Sequence, residues 1–226
     1  MIVSQADGGG GASVGMEMAL GRPVDIAINH DPQAIRMHRT NHPQTLHLTE
    51  DIFKVDLEKY VNGQHVSLMW ASPDCTSYSI AAISHHRNKD ADGNLSPKSD
   101  YAKFCDKVNI NVMKLIDDFL KINPNLLYFI ENPRGGLRKM NFMKDKPRYT
   151  ITYCQYGDDR MKPTDIWTNH PKPNFKPPCK NGDSCHTPAP RGSRTGTQGR
   201  KNSIERSLIP YELCDYVVKI CEEIIK

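Results

Sequence analysis

What this chain lacks narrows the field first. No apolar run approaches the ~20 residues needed to cross a bilayer, and the start shows no charged-then-apolar leader. A soluble protein is therefore expected, with no membrane partner and a cytoplasmic location. Its seven cysteines are an odd number, scattered at positions 75, 105, 154, 179, 185, 214 and 221, which fits a reducing compartment and excludes a dense disulfide framework. A strong charge excess is also missing. With 30 Lys+Arg against 26 Asp+Glu the net charge is +4, which permits nucleic-acid binding without demanding it. There is no internal repeat. The dinucleotide fingerprint fails as well: Gly8-x-Gly10 leaves Ser13 where the last glycine belongs, so a nicotinamide or flavin reading loses ground.

What is present suits one α/β domain with a modest appendage, since 226 residues can bury a sizeable core. Met1-Ile2-Val3 opens as a strand, Gly8 to Gly15 makes a glycine-rich loop, and Met16 to Leu20 begins a helix. Val24 to Ile28 reads as a second strand ending in Asn29-His30-Asp31-Pro32, followed by helical composition from Gln33 to Asn41. Leu46-His47-Leu48 precedes Asp51-Ile52, Val66 to Met69 precedes Cys75, Leu126 to Ile130 precedes Glu131, and Tyr149 to Tyr153 forms a sixth strand. Strands alternating with helices predict a mostly parallel sheet covered on both faces. Tyr101 to Lys121 places Phe104, Val108, Leu115 and Phe119 at helical spacing, with Cys105 as core filling. Thr76 to Asp100 is polar and aperiodic, so it is expected to be a long loop. His38, His42 and His47 are expected at the surface, and Tyr78 in packing.

Cys75 is the centre of this arrangement. A lone cysteine usually packs as a small hydrophobe. Here Pro73, Asp74, Thr76, Ser77 and Ser79 surround it with polar groups that a core position would not tolerate cheaply, and it sits where a strand ends. Parallel strands point their carboxyl ends the same way, so the glycine loop, Asn29, Asp51, Cys75 and Glu131 should meet on one rim. A partly exposed thiol beside turn amides is a candidate nucleophile.

Taken in order, these residues resemble the DNA cytosine-C5 methyltransferase family. Gly8-x-Gly10-Gly11-Ala12-Ser13-Val14-Gly15-Met16-Glu17 looks like its cofactor motif, with Asn29-His30-Asp31-Pro32 and Asp51-Ile52 as the next two. Ser72-Pro73-Asp74-Cys75 resembles the Pro-Pro-Cys nucleophile motif and Glu131-Asn132-Pro133 the Glu-Asn-Val motif. Tyr156-Gly157 with Arg160 and Lys162 is similar to a later basic motif, and Ser207 to Ile225 to the final one. The chain departs from the family pattern at Ala6, where phenylalanine is usual, at Asn29 for an acid, at Asp74 for proline, and at Lys162 and Thr164 for arginines. The likeness covers residues 2 to 168 and the last twenty.

The resemblance implies a Rossmann-like S-adenosylmethionine-dependent methyltransferase fold. It divides the chain into a catalytic domain (1–168), a short basic Pro/Gly-rich target-recognition segment (169–206) and a C-terminal helix that packs back (207–226). It implies S-adenosylmethionine held by Asp7, Gly8, Gly10, Gly11, Asn29, His30, Asp51, Ile52, Ser72 and Pro73. Cys75 becomes the nucleophile at C6 of a flipped cytosine, Glu131 the partner of its N3 and amino edge, and Arg160 and Lys162 the supporting cations. Double-stranded DNA is the expected partner, touched by Ser79, His85, Arg87, Arg191, Arg194 and Arg200, with a partner chain aiding recognition where so short a segment reads few bases. The small size suggests by analogy a bacteriophage enzyme acting in the host cytoplasm in a restriction-modification setting. Transfer-RNA methylation and a non-catalytic DNA-binding role remain open. Cys179-x5-Cys185-His186 lacks the usual ligand spacing and an evident fourth ligand, so no metal is expected.

Overall fold

The computed structural model of the protein describes residues 1–8, 10–49, 53–188, 200 and 203–225. Its core rests on strands that are apolar on both faces. Leu68, Trp70, Leu127 and Phe129 point into one layer, and Met69, Ala71, Tyr128 and Ile130 into the other. Such strands are stable only with helices above and below them.

In chain order the elements are β1 (Ile2–Gln5), α1 (Gly11–Leu20), β2 (Ile26–Ile28), α2 (Pro32–Asn41), β3 (Leu46–Leu48), α3 (Leu57–Val61), β4 (Leu68–Ala71), α4 (Ile83–His86), β5 (Arg87–Lys89), β6 (Leu95–Pro97), α5 (Asp100–Ile122), β7 (Leu127–Pro133), β8 (Arg148–Thr152), β9 (Pro163–Thr168), α6 (Ser203–Ser207) and α7 (Tyr211–Ile225). Seven strands form one sheet in the order β3-β2-β1-β4-β7-β9-β8. The first five are parallel. β9 runs antiparallel to both β7 and β8, so β8 again points the same way as the parallel set. The chain goes from β1 outward to β2 and β3, then returns to place β4 on the other side of β1. In open α/β sheets such a reversal is where the ligand crevice lies, beyond the carboxyl ends of the strands, here β1 and β4.

Helix α5 covers one face. Ser99 caps it by accepting from Ala102 N (3.1 Å), and it buries Cys105, Val108, Val112, Ile116 and Phe119. Helices α1 and α7 cover the other face, and they pack closely. A Cβ on Gly15 would stand 2.6 Å from Cys214 Cβ and 2.8 Å from Tyr211 O, so only glycine allows this approach. Among the described residues no helix is long and apolar enough to cross a membrane.

Several local expectations change. The predicted long loop Thr76 to Asp100 contains α4 and an antiparallel β5/β6 hairpin. The ordering force is nonlocal: Arg87 is buried and its guanidinium pairs with Asp106 of α5 at 2.7 Å, which no periodicity scan along 76–100 can detect. Phe104 lies beside the buried stripe of α5 rather than in it, 40% exposed, because the stripe is centred on Cys105. His38 and His42 are core residues, not surface ones. His38 Nε2 lies 3.0 Å from Ser13 Oγ and its Nδ1 2.9 Å from His47 Nε2, while His42 Nδ1 meets Glu17 Oε2 at 2.7 Å. Burial pulls the His38 pKa down to about 3, so the ring is neutral. Finally, Pro163 to Thr168 is a strand that its proline and polar residues concealed.

Candidate active site

At the β1 end, Asp7 does the organising. Its carboxylate accepts from Ala12 N (3.0 Å), Ser13 N (2.9 Å) and Ser13 Oγ (2.9 Å), occupying the first free amides of α1. Burial holds the Asp7 pKa up. Those amides are the donors a pyrophosphate needs at a dinucleotide site, so this loop is closed to one. Gly10 adopts φ 97°, and a Cβ there would lie 2.5 Å from His42 Nε2, which explains the glycine. Gly8, with φ 56°, faces open space and Gly11 is half-buried. Behind the loop, Gln5 is fully buried at the end of β1, and neither its amide oxygen nor its nitrogen has a hydrogen-bond partner among the described residues.

The β2 end adds Asn29, whose Oδ1 accepts from Asp31 N (3.0 Å) and so leaves mainly its N–H groups for another molecule. Exposed His30 lies edge-on to Phe104 at 5.7 Å, and Phe104 lies 6.3 Å from Phe53. These rings stand on the same rim as the glycine loop. Asp51 and Ile52, assigned to the same site from sequence, fall outside the described residues. Ser72 Oγ accepts from Trp70 Nε1 (2.8 Å), and Pro73 is buried.

β4 and β7 are neighbours, with Ala71 opposite Ile130. Cys75 leaves one strand end and Glu131 sits at the next. Asn132 Nδ2 donates to Pro73 O at 2.9 Å and ties the two together. Glu131 is 5% exposed, and Tyr153 OH donates to its Oε1 at 2.7 Å. Lys162, also buried, lies over the Tyr153 ring at 4.4 Å and donates to Arg206 O at 3.0 Å. Burial lowers its pKa while Glu131 and Cys75 pull it back up. The structure thus brings Glu131 and Lys162 together around Tyr153, within electrostatic reach of Cys75.

The resting thiol differs from the expected activated one. Burial foremost, then the charges of Glu131 and Asp74, push the Cys75 pKa up to about 11, with Lys162 opposing. Asp74 folds back, accepting from Thr76 N at 2.7 Å and lying 3.9 Å from the Cys105 thiol. Its field still reaches Cys75. Arg160 does not supply the expected positive potential. Its guanidinium is taken by Asp158 and donates to Glu205 O (2.8 Å) and Leu208 O (3.1 Å), clamping the chain after α6 to the rim.

The residues expected on DNA separate. His85 is exposed and Ser79 half-exposed. Arg87 is inside the fold, bonded to Asp106, Ser77 O (2.9 Å) and Ser77 Oγ (3.0 Å) and lying 4.1 Å above the Tyr78 ring. A guanidinium saturated in this way holds the turn after Cys75 and has no donor left for a phosphate. Arg200 pairs with Asp159. Arg191 and Arg194 fall outside the described residues. Sequence reasoning missed Gln5, quoted Asn132 only as part of the Glu131 motif, and took Tyr153 only as the end of a strand. Tyr153 carried a signal, since it ends an apolar strand whose direction puts it on the same rim.

Several solved structures share this fold. The chain superposes on a putative DNA modification methyltransferase encoded within a prophage (E. coli) with a TM-score of 0.53 and 17% identity, over 74% of this chain and 45% of that one. The fold is that of the methyltransferases. Entamoeba histolytica methyltransferase EhMeth (TM-score 0.52, 14% identity, 74% and 51% covered) and Spodoptera frugiperda DNMT2 (0.51, 14%, 74% and 48%) have it too. This chain spans about half the length of each. The Rossmann-like S-adenosylmethionine methyltransferase architecture implied by the family resemblance is therefore observed. No protein-family model and no curated protein matches the sequence.

Proposed function

We propose that the chain is a cytosine-C5 methyltransferase acting on DNA, with Cys75 as nucleophile. The carrying observation is the convergence of a half-buried thiol, a buried carboxylate and a buried ammonium, Cys75, Glu131 and Lys162, on neighbouring strand ends. The rim also fits S-adenosylmethionine. Gly8 faces open space, the buried Gln5 amide lacks partners among the described residues, the exposed His30, Phe53 and Phe104 rings can flank an adenine, and Asp7 closes the helix end to phosphate. When bound, that cofactor supplies an electrophilic methyl group. Asp7, Gly8, Gly10, Gly11, Asn29, His30, Ser72 and Pro73 would line its site, with Gln5 added.

Cytosine C5 is too weak a nucleophile alone. Bond formation between Cys75 Sγ and C6 opens the C5=C6 double bond and places electron density on C5 while the pyrimidine N3 gains basicity. Once C5 is alkylated, loss of its proton re-forms the double bond and expels the Cys75 sulfur. Glu131, fixed by Tyr153, shares a proton with N3 and contacts the amino edge, which selects cytosine over thymine. The thiol must lose its proton on the way. Lys162 is the cation positioned to stabilise the resulting thiolate. The target base must leave its helix to reach this crevice. Residues 169–206 form the proposed recognition segment between the catalytic region (1–168) and the closing helical region (207–226), and a partner chain would add base contacts. The test is transfer of labelled methyl from S-adenosylmethionine to duplex DNA and, separately, to transfer RNA, with the product base identified. 5-Methylcytosine in DNA is expected. Label in RNA alone would overturn the DNA assignment, and label in neither would overturn the catalytic one.

A further inference from the structure

A second cluster of reactive side chains lies at the β8 edge of the sheet. Cys154 follows β8 in a single 3-10 turn, Tyr153–Tyr156. Cys179, Cys185 and His186 belong to the irregular chain after β9. Hydrogen bonds close the two together: Cys179 N donates to Thr152 Oγ1 (2.9 Å), Lys176 Nζ to Gln155 O (2.7 Å) and Thr187 N to Asp159 O (2.8 Å). One ligand atom from each of the four residues lies within 4.8 Å of all the others.

These separations have the dimensions of a coordination shell. A tetrahedral zinc ion with Zn–S near 2.3 Å and Zn–N near 2.0 Å sets its sulfurs about 3.8 Å apart and sulfur and nitrogen about 3.5 Å apart. Cys185 Sγ stands 3.7 Å from Cys154 Sγ and 3.4 Å from His186 Nδ1. His186 is 9% exposed, and Cys185 Sγ lies beside its Nδ1, the nitrogen turned toward the sulfurs. A buried imidazole with only sulfur for company is expensive unless it ligates. Gln155 Nε2 donates to Cys179 Sγ at 2.6 Å, the kind of N–H contact that supports a metal-bound thiolate. The competing chemistry is a disulfide between Cys179 and Cys185, whose sulfurs touch. Their Cα atoms are 7.5 Å apart, wider than the roughly 4.4–6.8 Å a disulfide spans, and that bond leaves Cys154 and His186 unexplained.

We propose that Cys154, Cys179, Cys185 and His186 form a structural zinc site. Four protein ligands leave no position open for substrate, so its role is architectural. On binding, the three S–H groups release their protons to solvent, and Zn²⁺ with three thiolates and a neutral imidazole carries a net charge of −1. The missing fourth ligand that argued against a metal is Cys154, 25 residues upstream of Cys179 and adjacent to it only through the sheet. The site clamps the start of the basic segment to the turn whose Tyr153 holds Glu131.

Elemental analysis of the full chain, purified under reducing conditions, tests this. About one equivalent of zinc per chain is expected. Peptide mapping after iodoacetamide should find Cys154, Cys179 and Cys185 protected until a chelator is added. Cobalt exchanged into the site should give sulfur-to-metal charge-transfer bands, and Cys154→Ser should weaken metal retention whereas Cys75→Ser should not. The proposal is overturned if no transition metal binds after zinc addition and alkylation is the same with and without chelator. It is equally overturned if acid-quenched protein contains a Cys179–Cys185 disulfide. The mapping on unmodified protein keeps the test decisive even where a variant fails to fold.

Discussion

Cys75 and Cys154 occupy equivalent places in the topology, each just past a strand that points to the same rim, yet the sheet makes different chemistry of them. Cys75 follows β4 in the middle of the sheet, where burial and the carboxylates of Glu131 and Asp74 hold its proton on. Cys154 follows β8 at the edge, where two more cysteines and an imidazole gather round it. A central strand end is walled by its neighbours and becomes a crevice. An edge strand end is open to whatever the chain lays across it, and here the chain lays down three further ligands.

Replacement of the two thiols separates them most sharply. Cys75→Ser is expected to lower methyl transfer by about four orders of magnitude or more while leaving S-adenosylmethionine affinity, by calorimetry, within about twofold. Transfer that survives this change breaks the assignment of the central site. Next in size is the carboxylate. Glu131→Gln should cost on the order of 10²- to 10³-fold in kcat, and Tyr153→Phe, which removes only the bond holding Glu131, about tenfold. A larger loss for Tyr153 than for Glu131 would reverse their roles.

The turn that follows Cys75 offers a stability test. Arg87→Ala strands the partly buried Asp106 and should destabilise the fold by about 3 kcal/mol in urea unfolding, whereas the exposed His85→Ala should stay within about 0.5 kcal/mol. Equal effects would put Arg87 back at the surface. A further test concerns pH. With its pKa raised to about 11, Cys75 is protonated at neutrality, so the free chain gains thiolate as pH rises. Iodoacetamide labelling of Cys75 should therefore climb about tenfold per pH unit from neutrality and level off near the pKa. A plateau already at pH 7 would show an activated thiol instead.

Much of the parallel half was legible because its information is local. The apolar runs 26–28, 46–48 and 127–130 announce strands, and the polar groups that end them announce the rim. The Leu68–Ala71 strand was displaced by two residues, because Trp70 and Ala71 look like the start of a polar loop until Trp70 is seen stacked on Phe129. At the antiparallel edge β8 was legible, as the strand expected over Tyr149 to Tyr153, but β9 was not. β9 carries Pro163, Thr164, Asp165 and Thr168, and Asp165 is tolerated in a central strand because Arg138 and Arg148 neutralise it from elsewhere in the chain. Arg87 misled for the same reason: a basic residue in a polar stretch looks solvent-facing until Asp106 appears beside it. The histidines of α2 were misplaced because their buried partners, Ser13 and Glu17, lie on α1.

The order of chemical groups along the strand ends, glycines, amide, thiol, then carboxylate, was determined by the sequence alone, since a parallel sheet converts that order into one rim. Tertiary structure alone decided the state and company of each group. It protonated the Cys75 thiol by burying it beside two acids, made Lys162 rather than Arg160 its cation, and drew Arg87 inward. It also carried Cys154 to within coordinating distance of Cys179, Cys185 and His186. Charge and coordination depend on distance in space, and for residues far apart in the chain only the packed sheet sets that distance.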